Sequence, residues 1–106
     1  MMEHIDVIEL KKWIDAGKQI TLLDIREKFE VDYCKLPDAI HIPMHEIPSR
    51  IDALDEDATI VVYCHSGVRS QYVCQYLLDQ GYRKVLNLLG GIHDWSLRVD
   101  TSVPVY

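Results

Sequence analysis

The sequence has no Cys-x-x-Cys pair, no cluster of Lys and Arg, and no apolar run longer than a few residues. Each absence removes a class of function. A membrane-spanning helix needs about 20 consecutive apolar residues, and no such stretch exists. Residues 1–12 are acidic with scattered apolar positions, so no secretory signal peptide is expected there. With a formal net charge of −6 and no basic patch, neither nucleic acid nor an anionic membrane is an expected partner. Cysteine is scarce: Cys34, Cys64 and Cys74 make an odd number, at spacings that suit neither a disulfide framework nor a zinc site. Free thiols fit a reducing, cytoplasmic compartment best. Internal repeats, low-complexity tracts and linkers are also missing.

What is present is a chain of 106 residues, 48% hydrophobic and 26% charged, which suits one folded domain over 1–106 and is too short for two. Strand and helix patterns alternate along it. Asp6 to Glu9 has the form of a capping box and opens an amphipathic helix with Ile8, Trp13 and Ile14 as apolar positions and Gly17 as its stop. Ile20–Ile25 reads as a buried strand, Glu27–Tyr33 as a short helix, Ala39–Ile42 as a strand ended by Pro43, and Ile47–Leu54 as another short helix. The strongest strand is Thr59–Tyr63, β-branched and apolar throughout. A loop from Cys64 to Arg69 follows. Ser70–Gln80 then predicts a helix with Val73, Cys74, Leu77 and Leu78 on one face and Gly81 at its end. Lys84–Leu89 predicts a further strand, Gly90-Gly91 a turn, and Ile92–Val99 a last helix containing Trp95. Apolar strands separated by helices predict an α/β fold, a mostly parallel central sheet flanked by helices on both faces. Ligands bind beyond the carboxyl ends of the strands in such sheets. Cys64 sits at that end of the strongest one.

The segment from Cys64 to Ser70 concentrates the chemistry. Gly67 permits a left-handed turn, so that consecutive backbone N–H groups can point inward. The positive end of the next helix lies at the same place, and Arg69 adds a permanent charge with a planar fork of donors. Together they favour an anion held over Cys64, and also the thiolate, the nucleophilic form of cysteine. A lone cysteine in this place would read as a small apolar residue ending a strand. The Gly and Arg that follow at this spacing change that reading.

Cys64-x-x-Gly67-x-Arg69-Ser70 resembles the active-site loop of the rhodanese family. Leu23-Asp24-Ile25-Arg26-Glu27 is similar to that family's Leu-Asp-Val-Arg-Glu segment. Glu30 with Leu36–Pro43 resembles its Glu…His-Ile-Pro-Gly-Ala-Ile-Asn-Ile-Pro stretch, and Gly90-Gly91-Ile92 with Trp95 and Val103–Val105 its C-terminal signature. The resemblance implies a sulfurtransferase, with Cys64 as the catalytic nucleophile. Cys64 would take sulfane sulfur from a small anionic donor such as thiosulfate, or from a persulfide. It would hold that sulfur as its own persulfide, stabilised by the loop amides of His65, Ser66, Gly67, Val68 and Arg69, and pass it to cyanide, a thiol or a sulfur-accepting protein, with no cofactor and no metal. Asp24, Arg26 and Ser70 are implied as supporting residues. Asp24 and Arg26 read from the sequence alone as a structural ion pair or a cap, and His65 and Ser66 as residues that either tune the pocket or face solvent.

Two other functions share much of this pattern. A small cysteine phosphatase or arsenate reductase looks like Cys-x5-Arg, whereas four residues separate Cys64 from Arg69, a tighter cradle that favours sulfur over a tetrahedral oxyanion. A persulfide carrier or interaction module serving a protein partner would have the same loop. Cys34 and Lys35 stand where the family often has Gly-His, and Asp38 where it often has Gly. Cys34 is expected in a loop, as a surface cysteine or a second, resolving thiol; Cys74, Tyr63 and Trp95 are expected in the core. His41 and His45 lie four apart, but Pro43 between them breaks any helical metal site.

Overall fold

The computed structural model describes residues 2–106. In chain order the elements are β1 (Glu3–Ile5), α1 (Val7–Asp15), β2 (Thr21–Asp24), α2 (Lys28–Tyr33), β3 (Ile40–His41), α3 (Ile47–Arg50), β4 (Thr59–Tyr63), α4 (Arg69–Asp79), β5 (Lys84–Leu88) and α5 (Gly91–Arg98). The strands form one sheet in the order β1-β5-β4-β2-β3, and every pair is parallel. β4 lies at its centre with β2 and β5 on either side, so the carboxyl ends of these three strands open onto one edge. No helix among the described residues is long and apolar enough to cross a membrane.

The period of two in β4 sorts the core into two layers. Ile60, Val62 and Cys64 join one buried cluster with Leu23, Ile47, Val73, Cys74 and Leu77, under α3 and α4. Val61 and Tyr63 join the other with Val7, Leu10, Leu86, Ile92 and Trp95, under α1 and α5. Cys74, Tyr63 and Trp95 are thus core residues, and burial, followed by the nearby Cys64, pushes the Cys74 thiol up to about 12.

Several local expectations are corrected. In α1 the Asp6 carboxylate accepts the Glu9 N–H at 2.9 Å, but Val7 and Leu10 are buried while Ile8 is exposed. Val7, Leu10 and Ile14, at i, i+3 and i+7, make the inner face. The stretch 47–54 is not one helix: α3 lasts four residues and passes into a 3-10 turn at Ile51–Ala53. β1 carries no sequence signal, being three residues with only Ile5 buried. Cys34 is not a surface cysteine. It is 8% exposed and packs in the α1/α5 layer, on the face of the sheet opposite to Cys64. Asp38 takes a left-handed φ of 61°, the conformation that explains a glycine elsewhere at this point; Asp is among the few residues that tolerate it.

Candidate active site

β4 ends at Tyr63 and α4 begins at Arg69, so Cys64 to Val68 must turn within five residues. Gly67 makes the turn possible. Its φ is 98°, and a Cβ there would stand 3.1 Å from the Leu88 carbonyl oxygen and 3.2 Å from the Gly90 nitrogen. The turn aims backbone donors at the thiol: the Gly67 N–H lies 3.2 Å from Cys64 Sγ and the Ser70 N–H 3.4 Å. Cys64 Sγ in turn lies 3.4 Å from Ser70 Oγ. The hydroxyl within reach of the sulfur therefore belongs to Ser70, while Ser66 and Val68 are exposed. Cys64 itself is 1% exposed, a sulfur held among donors rather than displayed on the surface.

Two neighbouring elements hold the loop in place. From β5, the fully buried Asn87 accepts the Ser70 hydroxyl and donates through Nδ2 to the Gly67 carbonyl at 3.2 Å. From α5, the Ile92 and His93 N–H groups donate to the carbonyls of Cys64 and His65, each at 3.0 Å. This contact requires Gly91. At φ 57° its missing Cβ would fall 2.5 Å from both of those carbonyl oxygens. The predicted Gly90-Gly91 turn is thus also the place where α5 meets the loop.

Asp24 and Arg26 form a buried ion pair behind the loop. Arg26 Nη2 lies 2.7 Å from Asp24 Oδ2 and its Nε 3.0 Å from Oδ1. Arg26 also donates to the Cys34 carbonyl at 2.6 Å and to the Tyr106 hydroxyl at 3.0 Å. Burial opposes its charge, but the bonds to Asp24 and Tyr106 outweigh it and raise the pKa. The Tyr63 hydroxyl donates to Asp24 Oδ2 at 2.8 Å, and burial beside that carboxylate raises the phenol pKa. Every Arg26 nitrogen is engaged within the protein, which makes this pair a brace between β2, α2 and the chain end.

Arg69 also has a partner. Its Nη1 and Nη2 donate to Glu30 Oε1 and Oε2, both at 2.8 Å. The Tyr106 hydroxyl donates to Glu30 Oε2 at 2.7 Å, and the Glu27 N–H to Oε1 at 3.0 Å. The Arg69 bonds, helped by those of Tyr106 and Glu27, hold the Glu30 carboxyl down to about 2, although its burial pulls the other way. Glu30 raises the Arg69 pKa in return. The Tyr106 ring stacks on the His65 imidazole at 4.1 Å and 19°, and His93 meets His65 edge-on at 5.6 Å. Burial pushes the Tyr106 hydroxyl up to about 12, so it stays protonated and able to donate.

The structure thus brings Cys64, His65, Gly67, Arg69 and Ser70 together at the sheet edge, with Asp24 and Arg26 one layer behind. His41 bonds the Arg26 carbonyl at 2.7 Å, and His45 faces Glu27 and Glu46 on the surface. Among the described residues no group of three or more His, Cys, Asp or Glu side chains converges.

Four residues of the site were not singled out from the sequence. Glu30 was visible only as part of the resemblance. Asn87 left a signal, a lone carboxamide in an apolar strand, which in a buried position requires partners. Gly91 reads as a turn residue and as part of the resemblance, with no link to the Cys64 loop. Tyr106 left no signal, because its place depends on how residues 99–106 cross the fold.

Comparison with known proteins identifies the family. A family model described as the rhodanese-like domain matches residues 6–98. A sulfurtransferase of Allochromatium vinosum is 42% identical over 96 residues, which cover 91% of this chain and 90% of that protein. The thiosulfate sulfurtransferase GlpE of Coxiella burnetii is 30% identical over 101 residues, 95% of this chain and 91% of that one. The crystal structure of a rhodanese-like domain protein from Staphylococcus aureus aligns with a TM-score of 0.87 at 30% identity, covering 99% of each chain. By sequence, by fold and by the strand–loop–helix that carries Cys64, the chain belongs to the rhodanese-like sulfurtransferase family.

Proposed function

We propose that the protein transfers sulfane sulfur from a donor to a thiophilic acceptor through a persulfide on Cys64. The observation that carries this reading is the pair of backbone N–H groups, of Gly67 and Ser70, directed at Cys64 Sγ from 3.2 and 3.4 Å. Donors fixed in place stabilise negative charge on sulfur without reorganising at the moment of reaction. The first turn of α4 adds its positive end at the same point. The Cys64 thiolate attacks the outer sulfur of the donor. A new S–S bond forms at Cys64, the donor's S–S bond breaks, and its electron pair leaves with sulfite or a thiolate. Cyanide or a thiol then removes the outer sulfur and regenerates the thiolate, a double displacement with ping-pong kinetics. The four-residue spacing between Cys64 and Arg69 supports sulfur rather than phosphate as cargo.

Intact mass after treatment with a sulfane donor tests the proposal. The expected result is a gain of one sulfur that is absent in Cys64→Ala and retained in Cys34→Ala. Failure of thiosulfate and of organic persulfides alike to add sulfur would overturn it.

A further inference from the structure

We propose that the ion pair of Arg69 with Glu30 makes this site select organic persulfides of low charge over the thiosulfate dianion. The inference rests on Cys64 persulfide chemistry and specifies its donor. Arg69 is the one permanent cation of the loop from Cys64 to Ser70. Both of its terminal nitrogens face the Glu30 carboxylate at 2.8 Å, so the pair presents no net charge to an incoming ligand. Glu30 is held in that position from three directions, by Arg69, by the Glu27 N–H and by the Tyr106 hydroxyl. Tyr106 is itself fixed by Arg26 and by its stack on His65. A dianion must therefore either displace a carboxylate anchored on several bonds or dock beside it, in a protein whose formal net charge is already −6. A donor of low charge meets neither obstacle.

A second observation points to an organic body on that donor. Beside the first turns of α4 lies an apolar crevice of about 180 Å³, lined by Met44, Ile47, Pro48, Tyr72, Val73 and Tyr76. Tyr72 and Val73 stand three and four residues after Arg69, one helical turn away on the same side. A cavity of about 150 Å³ is enough to take benzene. The loop amides would hold the sulfur end while the crevice takes an aliphatic or aromatic body. In the transfer, the Cys64 thiolate bonds to the outer sulfur of R–S–SH and the bond to the inner sulfur breaks. The departing thiolate collects the persulfide proton, leaving R–SH and a Cys64 persulfide anion. No oxidant or reductant is consumed.

The test compares single-turnover sulfur loading of the reduced protein by thiosulfate and by benzyl persulfide at equal concentration, read by quenched intact mass. The ratio of the two rates within one preparation cancels any loss of folded protein. In the wild type benzyl persulfide should load at least about tenfold faster. Glu30→Gln keeps the carbonyl that accepts from Arg69 and Glu27 but removes the charge. It should shift the ratio of the two loading rates about tenfold toward thiosulfate, as expected for one charge close to the ligand. Tyr72→Ala, at an exposed position, should slow benzyl persulfide about fivefold and spare thiosulfate. Equal wild-type rates with a ratio unmoved by Glu30→Gln would overturn the inference while the sulfur gain upholds Cys64 persulfide chemistry. No gain from either donor would overturn both.

Discussion

The Asn87 carboxamide oxygen accepts the Ser70 hydroxyl, joining the carboxyl end of β5 to the first turn of α4 beside the Cys64 thiol. The same side chain donates to the Gly67 carbonyl, so one residue ties the turn of the loop to the start of α4 around the sulfur. Asn87→Ala leaves a buried hydroxyl and a buried carbonyl without their partner. Each unsatisfied group costs about 1–3 kcal/mol, so a total loss of about 2–6 kcal/mol is expected in urea unfolding. A loss below about 0.5 kcal/mol, the range of ordinary surface substitutions, would show that the loop does not depend on this bond.

Gly91 is where α5 touches the loop backbone. A methyl group there would collide with the carbonyl oxygens of Cys64 and His65 at 2.5 Å, and backbone cannot yield as a side chain can. Gly17, also at positive φ, has nothing within 4 Å of its absent Cβ. Gly17→Ala should therefore cost only the conformational strain, about 1–2 kcal/mol. Gly91→Ala should cost clearly more, and should slow sulfur loading by shifting Cys64. Paired thermal unfolding of the two variants measures the difference, and equal shifts in Tm would contradict the steric account.

The buried pair of Asp24 and Arg26 sets a third expectation. Removing one partner of a buried pair leaves an uncompensated charge and costs about 3–5 kcal/mol. Asp24→Ala strands Arg26, which is 0% exposed, and also deprives the Tyr63 hydroxyl of its acceptor. Its unfolding midpoint should fall accordingly. Asp24→Asn keeps an oxygen for Tyr63 and part of the bonding to Arg26, so its loss should be smaller. Denaturant titrations of both variants check the order.

Glu30 links the site to pH. Its carboxyl is held down to about 2 from an ordinary 4.5, chiefly by Arg69. A depressed carboxylate contributes stability that is fully present above about pH 4.5 and is lost as pH falls through its folded value. With allowance for the part-exposed Arg69, the contribution is about 2 kcal/mol. The wild type should thus lose about 2 kcal/mol more than Glu30→Gln between pH 5 and about 2. Parallel slopes of stability against pH for the two proteins over that window would contradict the assignment.

Much of this fold is legible in the chain because its strands are short, continuous apolar runs bounded by turn residues. Thr59–Tyr63 has the same limits in the sequence pattern and in β4. The Cys64 loop is legible for the same reason, since thiol, turn glycine, cation and helix start all fall within seven residues. The parts that were not legible lack local signals. β1 is three residues long and is defined only by pairing with β5, more than 80 positions away. Cys34 reads as a surface residue because it falls in a loop, yet the end of α2 turns it into the layer beneath α1 and α5.

The sequence by itself determined the parallel α/β layering, through the burial of both faces of its central strands, and singled out Cys64 as the candidate nucleophile, through the compact motif around it. Only the tertiary structure decided the charge of the site. Glu30 and Arg69 lie 39 residues apart, and Glu30 and Tyr106 lie 76 apart. Local periodicity carries no information about such pairs. They meet because the sheet order sets β2, which leads into α2, beside β4, and because the Tyr106 hydroxyl reaches Glu30 from beyond α5, so that the cation of the loop is neutralised from another element.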